Sequence, residues 1–270
     1  MSAAFDPYAA FAPTSPRQFL YALNPLAKVA AVLPAVLLLV FVRDLATPTA
    51  FLVLAYAVLL IGARITPRMA ALLFIAMPLG ILLIGGGFSI WVDASLVRGT
   101  ASVLRIGEWT LYQGAIAIGF ATALRLGSII ALALIGGLTT TGPDLVRASV
   151  QQLRVPYRIG YTALAAFRFV PRFGYELSVI RAAHRVRGHH GGRGPFARIA
   201  RGWGYIVPLL AGAIRHAERV ALAMDSRAFG AHATRTERHL VPFRTRDTVF
   251  ILTGVAASAA IFTLFFPWNF

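Results

Sequence analysis

Long uncharged stretches constrain this chain more than any other feature. Reading between charges, Leu45–Ala63 gives 19 residues, Met69–Val92 gives 24 and Thr248–Phe270 gives 23. A helix rises about 1.5 Å per residue and must cross about 30 Å of hydrocarbon, so about 17–25 mostly apolar residues suffice. Trp109–Leu124 and Leu126–Pro143 flank a single charge, Arg125. Val29–Val42 is only 14 residues long. Lys28 can snorkel, however, and Pro25 and Leu26 can lengthen that run. The expected fold is therefore an all-α integral membrane protein with about five transmembrane helices. Charged residues make up 13% of the chain, against about a quarter in soluble domains.

Charge then orients the runs. The Arg43–Asp44 loop is neutral, the Arg64–Arg68 loop holds two arginines and no acid, and Asp93–Glu108 is neutral again. Residues Pro143–Asp247 carry 18 of the 26 basic residues against six acids. Basic loops stay in the cytoplasm. The N-terminus and the Pro143–Asp247 region are thus expected inside, and the C-terminus outside. Phe265, Phe266, Trp268 and Phe270 suit an interfacial aromatic belt there. The net charge of +16 is explained by this bias, so nucleic acid is not implied. Asp6, Pro7, Pro13 and Pro16 precede the first apolar run without a basic cluster, which is not a signal-peptide pattern, although small residues at Ala46–Ala50 follow that run. Three parts result: 1–142 with four transmembrane helices, 143–247 in the cytoplasm, and 248–270 as the last crossing.

The basic region is not a polar tail. Leu164, Phe167, Phe169 and Val170, then Leu177, Val179 and Ile180, recur at helical spacing, as do residues of Ile206–Ile214. These runs are too short to span and read as long amphipathic helices, at the membrane or packed on each other. Gly142-Pro143-Asp144 is a helix start and Pro156 a stop. A second helix is expected from about Gly160 to Val186, kinked at Pro171 and ended by Gly188. A third is expected from about Pro195 to Arg227, interrupted near Gly204 and Pro208 and ended by Gly230. Arg187 and Arg227 would then occupy corresponding ends of two helices, near a glycine in each case. An arginine there complements the helix dipole. It also offers a planar five-donor fork suited to gripping a carboxylate on a partner.

With these residues in view the chain resembles the T component of energy-coupling factor (ECF) transporters, an EcfT/CbiQ-like membrane subunit of modular importers. The resemblance rests on Leu23-Asn-Pro-Leu-Ala-Lys28, Leu138-Thr-Thr-Thr-Gly-Pro143, Leu153-Arg-Val-Pro156, Arg168 to Glu176 and the two arginine segments. It implies that Val186-Arg187-Gly188 and Ser226-Arg227-Ala228 are the tips of coupling helices, each docking on one of two cytoplasmic ABC-type ATPases. It further implies a small substrate-binding membrane protein (S component) as partner, and uptake of a vitamin or metal ion across a bacterial or archaeal cytoplasmic membrane. The second tip departs from the family pattern, with Ala228 where glycine is common and Gly230 two residues on.

Other classes find less support. There is no phosphate-binding loop and Lys28 is the only lysine, so the chain is read as non-catalytic, without a cofactor. His184, His189 and His190 lack a nearby carboxylate or cysteine and are not read as a metal site. A stand-alone secondary transporter or membrane enzyme would need ionisable groups within the spans. Only Arg125 qualifies, and it is either functional or snorkels to the outer surface from a helix that enters the membrane near residue 122. Gly80, Gly85, Gly86, Gly87, Gly136 and Gly137 could allow close helix approach.

Overall fold

The computed structural model describes residues 18–266 apart from 94, 96, 98, 107, 108 and 189–193. His189, His190, Trp268 and Phe270 lie outside the described residues. The chain folds as two compact units. A membrane unit holds the described residues up to Thr141 and those from Pro242 onward; a long-helix unit holds Gly142–Val241.

The membrane unit contains α1 (Pro25–Phe41), α2 (Ala46–Gly62), a rod made of α3 (Pro67–Ala71) and α4 (Met77–Trp91), then α5 (Gln113–Thr139) and α9 (Thr245–Phe265). A π-helical turn at Leu72–Ala76 joins α3 to α4. Three of these rods, Pro67–Trp91, Gln113–Thr139 and Thr245–Phe265, are long and apolar enough to cross a membrane; α1 and α2 are apolar but have only 17 residues each. The apolar run beginning at Trp109 is not helical throughout. Trp109–Tyr112 forms β2, paired antiparallel with β1 (Ser102–Ile106), and α5 starts at Gln113. Trp109, Thr110 and Tyr112 favour a strand, being aromatic or β-branched.

Small residues set the packing of this unit. Ala27, Ala31 and Ala35 repeat every fourth position on α1 and are buried. A Cβ placed on Gly254 of α9 would sit 3.0 Å from that of Ala31, so the two backbones approach closely. At the α4–α5 crossing, a Cβ on Gly119 would lie 2.6 Å from the Gly85 carbonyl. Of the glycines suspected of close approach, only Gly85 fulfils it, against the Phe120 ring; Gly80, Gly86, Gly87, Gly136 and Gly137 face open space. Larger side chains complete the core, with Leu39, Phe51, Leu59, Leu73, Leu132 and Ile135 buried together.

Charged groups close the helix ends. Lys28 does not snorkel. It is 1% exposed, and its Nζ donates to the Thr139 carbonyl at 2.8 Å and to Thr140 Oγ1 at 3.0 Å, at the C-terminus of α5. A cation is favoured there by the helix dipole. Asn24 caps α1, accepting from Leu26 N at 3.0 Å. Asp247, also 1% exposed, accepts from the backbone nitrogens of Asn24 and Arg244, both at 2.7 Å. One carboxylate thereby serves the N-termini of both α1 and α9. At the other end of α1, Asp44 Oδ2 caps α2 through Thr47 N at 2.7 Å, and Ser128 Oγ of α5 donates to Pro48 O at 2.6 Å.

The long-helix unit consists of α6 (Gly142–Gln152), α7 (Tyr157–Val186) and α8 (Pro195–Asp225). Here α8 runs without a break, Pro208 being accommodated inside it. α7 and α8 pack antiparallel: Phe169 stacks on His216 at 4.3 Å and His184 meets Tyr205 edge-on at 5.3 Å. Gly160 makes room for Val150 where α7 meets α6. Among the described residues of this unit, only Pro143, Ala148 and Gly160 are buried.

Candidate functional site

The two arginine tips are built alike. At the end of α7 the Gly188 nitrogen donates to Arg185 O at 3.1 Å, and Gly188 takes a left-handed φ of +72°. At the end of α8 the Ala228 nitrogen donates to Asp225 O at 2.9 Å, the Phe229 nitrogen donates to Met224 O at 3.0 Å, and Ala228 takes φ +54°. The second tip makes both bonds of the Schellman arrangement, and the first makes the one that its left-handed residue donates to the last turn. In both tips the arginine is the residue immediately before the left-handed one. Ala228 therefore takes a left-handed φ like that of Gly188, despite the strain a Cβ brings there.

Val186, Arg187, Gly188, Ser226, Arg227 and Ala228 are all exposed. Neither guanidinium bonds to another described residue. Because α7 and α8 are antiparallel, their C-terminal tips lie at opposite ends of the pair. Arg158, at the start of α7, donates to Gly230 O, just past the second tip, at 2.5 Å. From there to Arg187 is the length of α7, about 40 Å at helical rise.

The chain after the second tip has no regular structure but is strapped to α6 and α7. Tyr157 stands edge-on to Phe229 at 5.8 Å and donates its hydroxyl to His232 O at 2.6 Å. Tyr161 donates to Glu237, and the Arg235 guanidinium lies 4.2 Å above the Tyr161 ring. Gln151 and Gln152 donate to His239 O and Val241 O at 2.8 and 2.9 Å. Burial pushes the Tyr161 phenol above its ordinary value. The hydrogen bond to Glu237 and that residue's charge push the same way, while Arg235 and Arg147 oppose them. These contacts fix the second tip to the start of α7. Sequence reading missed the strap because its polar residues look like an ordinary solvated loop.

Arg125 is the thirteenth residue of α5 and so lies well inside the helix. It is half-buried, and its Nη1 donates to Val42 O at 3.3 Å, the carbonyl at the C-terminal cap of α1. Its neighbour is thus a helix end rather than an ionisable group. His184 packs on Tyr205. Among the described residues no cluster of histidine, cysteine or carboxylate could hold a metal ion.

Comparison with known proteins gives a consistent family. A family model described as cobalt transport protein, CbiQ, matches residues 16–238. An EcfT protein (energy-coupling factor transporter transmembrane protein) from Staphylococcus aureus is 27% identical over 66% of this chain and 69% of its own length. The EcfT protein of Thermotoga maritima is 31% identical over 58% of this chain and 60% of its own. A Bifidobacterium longum protein, provisionally named as an ABC transporter ATP-binding protein, is 30% identical over 64% of this chain but only 23% of its own length. With the family model spanning most of the sequence, and with three helices long and apolar enough to cross a membrane, the chain belongs to the EcfT/CbiQ-like family, the energy-coupling membrane components of transporters.

Proposed function

We infer that this chain is the non-catalytic coupling subunit of an ECF-type ABC importer, and that its arginine tips each dock on one of two cytoplasmic ATPases. The observation that carries this reading is the matched pair of tips. Two arginines occupy the same position in the same cap geometry, exposed, at opposite ends of an antiparallel helix pair. An arginine serving only the dipole of its own helix would not need the neighbouring left-handed turn repeated where glycine is missing. A separation of about 40 Å suits two separate partners better than one binding groove. The Bifidobacterium relative adds support, since a protein named for ATP binding contains a stretch similar to this chain.

In this reading the long-helix unit and the N-terminus face the cytoplasm and the C-terminus faces outward. Residues 143–247 form the coupling region between the N-terminal membrane part and the last crossing. Closure of the ATPase pair displaces the tips, and rigid helices carry the displacement towards a small substrate-binding membrane protein that captures a vitamin or metal ion.

The test is a pull-down from membranes, comparing the unsubstituted chain with Arg187→Glu/Arg227→Glu and assaying ATPase activity in the eluate. Charge reversal at a desolvated arginine contact costs about 2–5 kcal/mol. The double variant should therefore lose the ATPases while its thermal unfolding in detergent stays unchanged. Full retention of the ATPases by the folded double variant would falsify the docking role.

A further inference from the structure

The main chain leaves the membrane unit after Thr141 and returns to it at Pro242. Both passages meet one turn of α1. Lys28 Nζ donates to Thr139 O and Thr140 Oγ1, the last residues before the first passage. Asn24, four residues earlier and on the same face, donates its Nδ2 to Pro242 O at 3.5 Å, the first residue after the second passage. The Asn24 backbone nitrogen donates to Asp247 Oδ1, and Asp247 Oδ2 accepts from Arg244 N. Asn24, Lys28 and Asp247 are 3%, 1% and 1% exposed.

We propose that the first turn of α1 is a clamp that ties the two chain passages together, with Lys28 and Asn24 as positioning residues for coupled transport. Apolar packing is non-directional, so helices held by it alone can slide. Charge-assisted hydrogen bonds fix distance and direction. A buried ammonium and a buried carboxylate are also costly to strip of their partners, which makes slippage at this turn costly. A displacement arriving along either passage therefore moves the ends of α1, α5 and α9 together. None of these residues belongs to the arginine tips. The inference rests on the reading that nucleotide-driven motion enters through the long-helix unit.

The chain contains no cysteine, so spin labels can be placed at will. Gly137→Cys on α5, where a side chain meets open space, and exposed Phe243→Cys before α9 report the separation of the two passages. Label separation is measured in the complex isolated with its ATPases, without nucleotide and after trapping with Mg-ATP and vanadate. In the otherwise unsubstituted chain the separation should stay the same in both states. Lys28→Met should match it without nucleotide, keep the ATPases and their hydrolysis, and lengthen on trapping. Lys28→Arg should restore the constant separation. Thr140→Val, which removes one acceptor and leaves the bond to Thr139 O, should lengthen less; it decides the matter if Lys28→Met does not assemble. The clamp is overturned if trapping leaves the separation unchanged in both variants. It is equally overturned if the variants already differ without nucleotide, since that marks a packing role alone. Absence of ATPases from the unsubstituted complex would instead sink the coupling reading and the clamp with it.

Discussion

The membrane unit and the long-helix unit solve opposite problems. In the membrane unit two charged residues at helix ends are inside: Lys28 and Asp247 are buried and bonded to backbone. In the long-helix unit no large apolar side chain is fully buried among the described residues. Phe196, Trp203 and Val207 on α8 are 85%, 70% and 74% exposed. What tertiary fastening this unit has comes from polar straps and aromatic rungs along its edges. The membrane unit is built to keep its own geometry, whereas the long-helix unit presents surface. Substitutions should divide accordingly, affecting folding in the first and assembly in the second.

The strongest challenge to that division is Asp247→Ala. It removes one buried carboxylate but two backbone caps, each worth about 1 kcal/mol or more, and leaves two amides without their acceptor. A loss of about 2–4 kcal/mol is expected, read as a large fall in Tm in detergent. A small fall would mean the membrane unit does not depend on its buried charges. Next is Gly119→Ala, where the added methyl runs into the α4 backbone. Overpacking of this kind costs about 1–3 kcal/mol. Gly204→Ala on α8, with nothing near its Cβ, should leave Tm unchanged or slightly raised, and equal effects at the two glycines would erase the contrast.

A smaller change is expected at the second tip. Ala228→Gly relieves left-handed strain of about 1–2 kcal/mol, less the entropy a glycine adds to the unfolded chain. The net gain should be under about 1 kcal/mol. It should appear as slower amide exchange at Phe229 without a shift in the main unfolding transition. The smallest effect concerns the strap. The Tyr161 phenol is held above its ordinary value, so the folded form keeps its proton more tightly. That stabilisation is complete below about pH 10 and is lost as pH rises through the raised value. Proteolytic cleavage after Arg235 and Arg238 should accelerate only in that alkaline range. Glu237→Gln, which removes part of the upward push, should bring the onset to lower pH.

Periodicity and charge made the all-α membrane fold legible, because spanning length and loop charge are properties of the chain itself. The start of α6 at Gly142 and the stop before Pro156 were readable from turn chemistry alone. What escaped was whatever depended on a distant partner. Lys28 read as a snorkelling lysine, since its acceptors at Thr139 and Thr140 lie more than a hundred residues away in sequence. Arg125 could not be placed until α5 was seen to begin at Gln113. For the tips, sequence supplied both arginines. It left open the turn at Ala228, where backbone dihedrals and not residue type carry the likeness to Gly188.

One dimension of the membrane unit reaches beyond the protein. α1 and α2 have 17 residues each, whereas α5 has 27. At helical rise the short pair covers about 25 Å, less than the roughly 30 Å of an average hydrocarbon core. Were those two helices to cross, lipid beside them would have to thin to meet them, and thinning costs a fraction of a kcal/mol per ångström. Acyl-chain length thereby becomes a setting of the machine. Shorter lipids would then suit α1 and α2 better than longer ones.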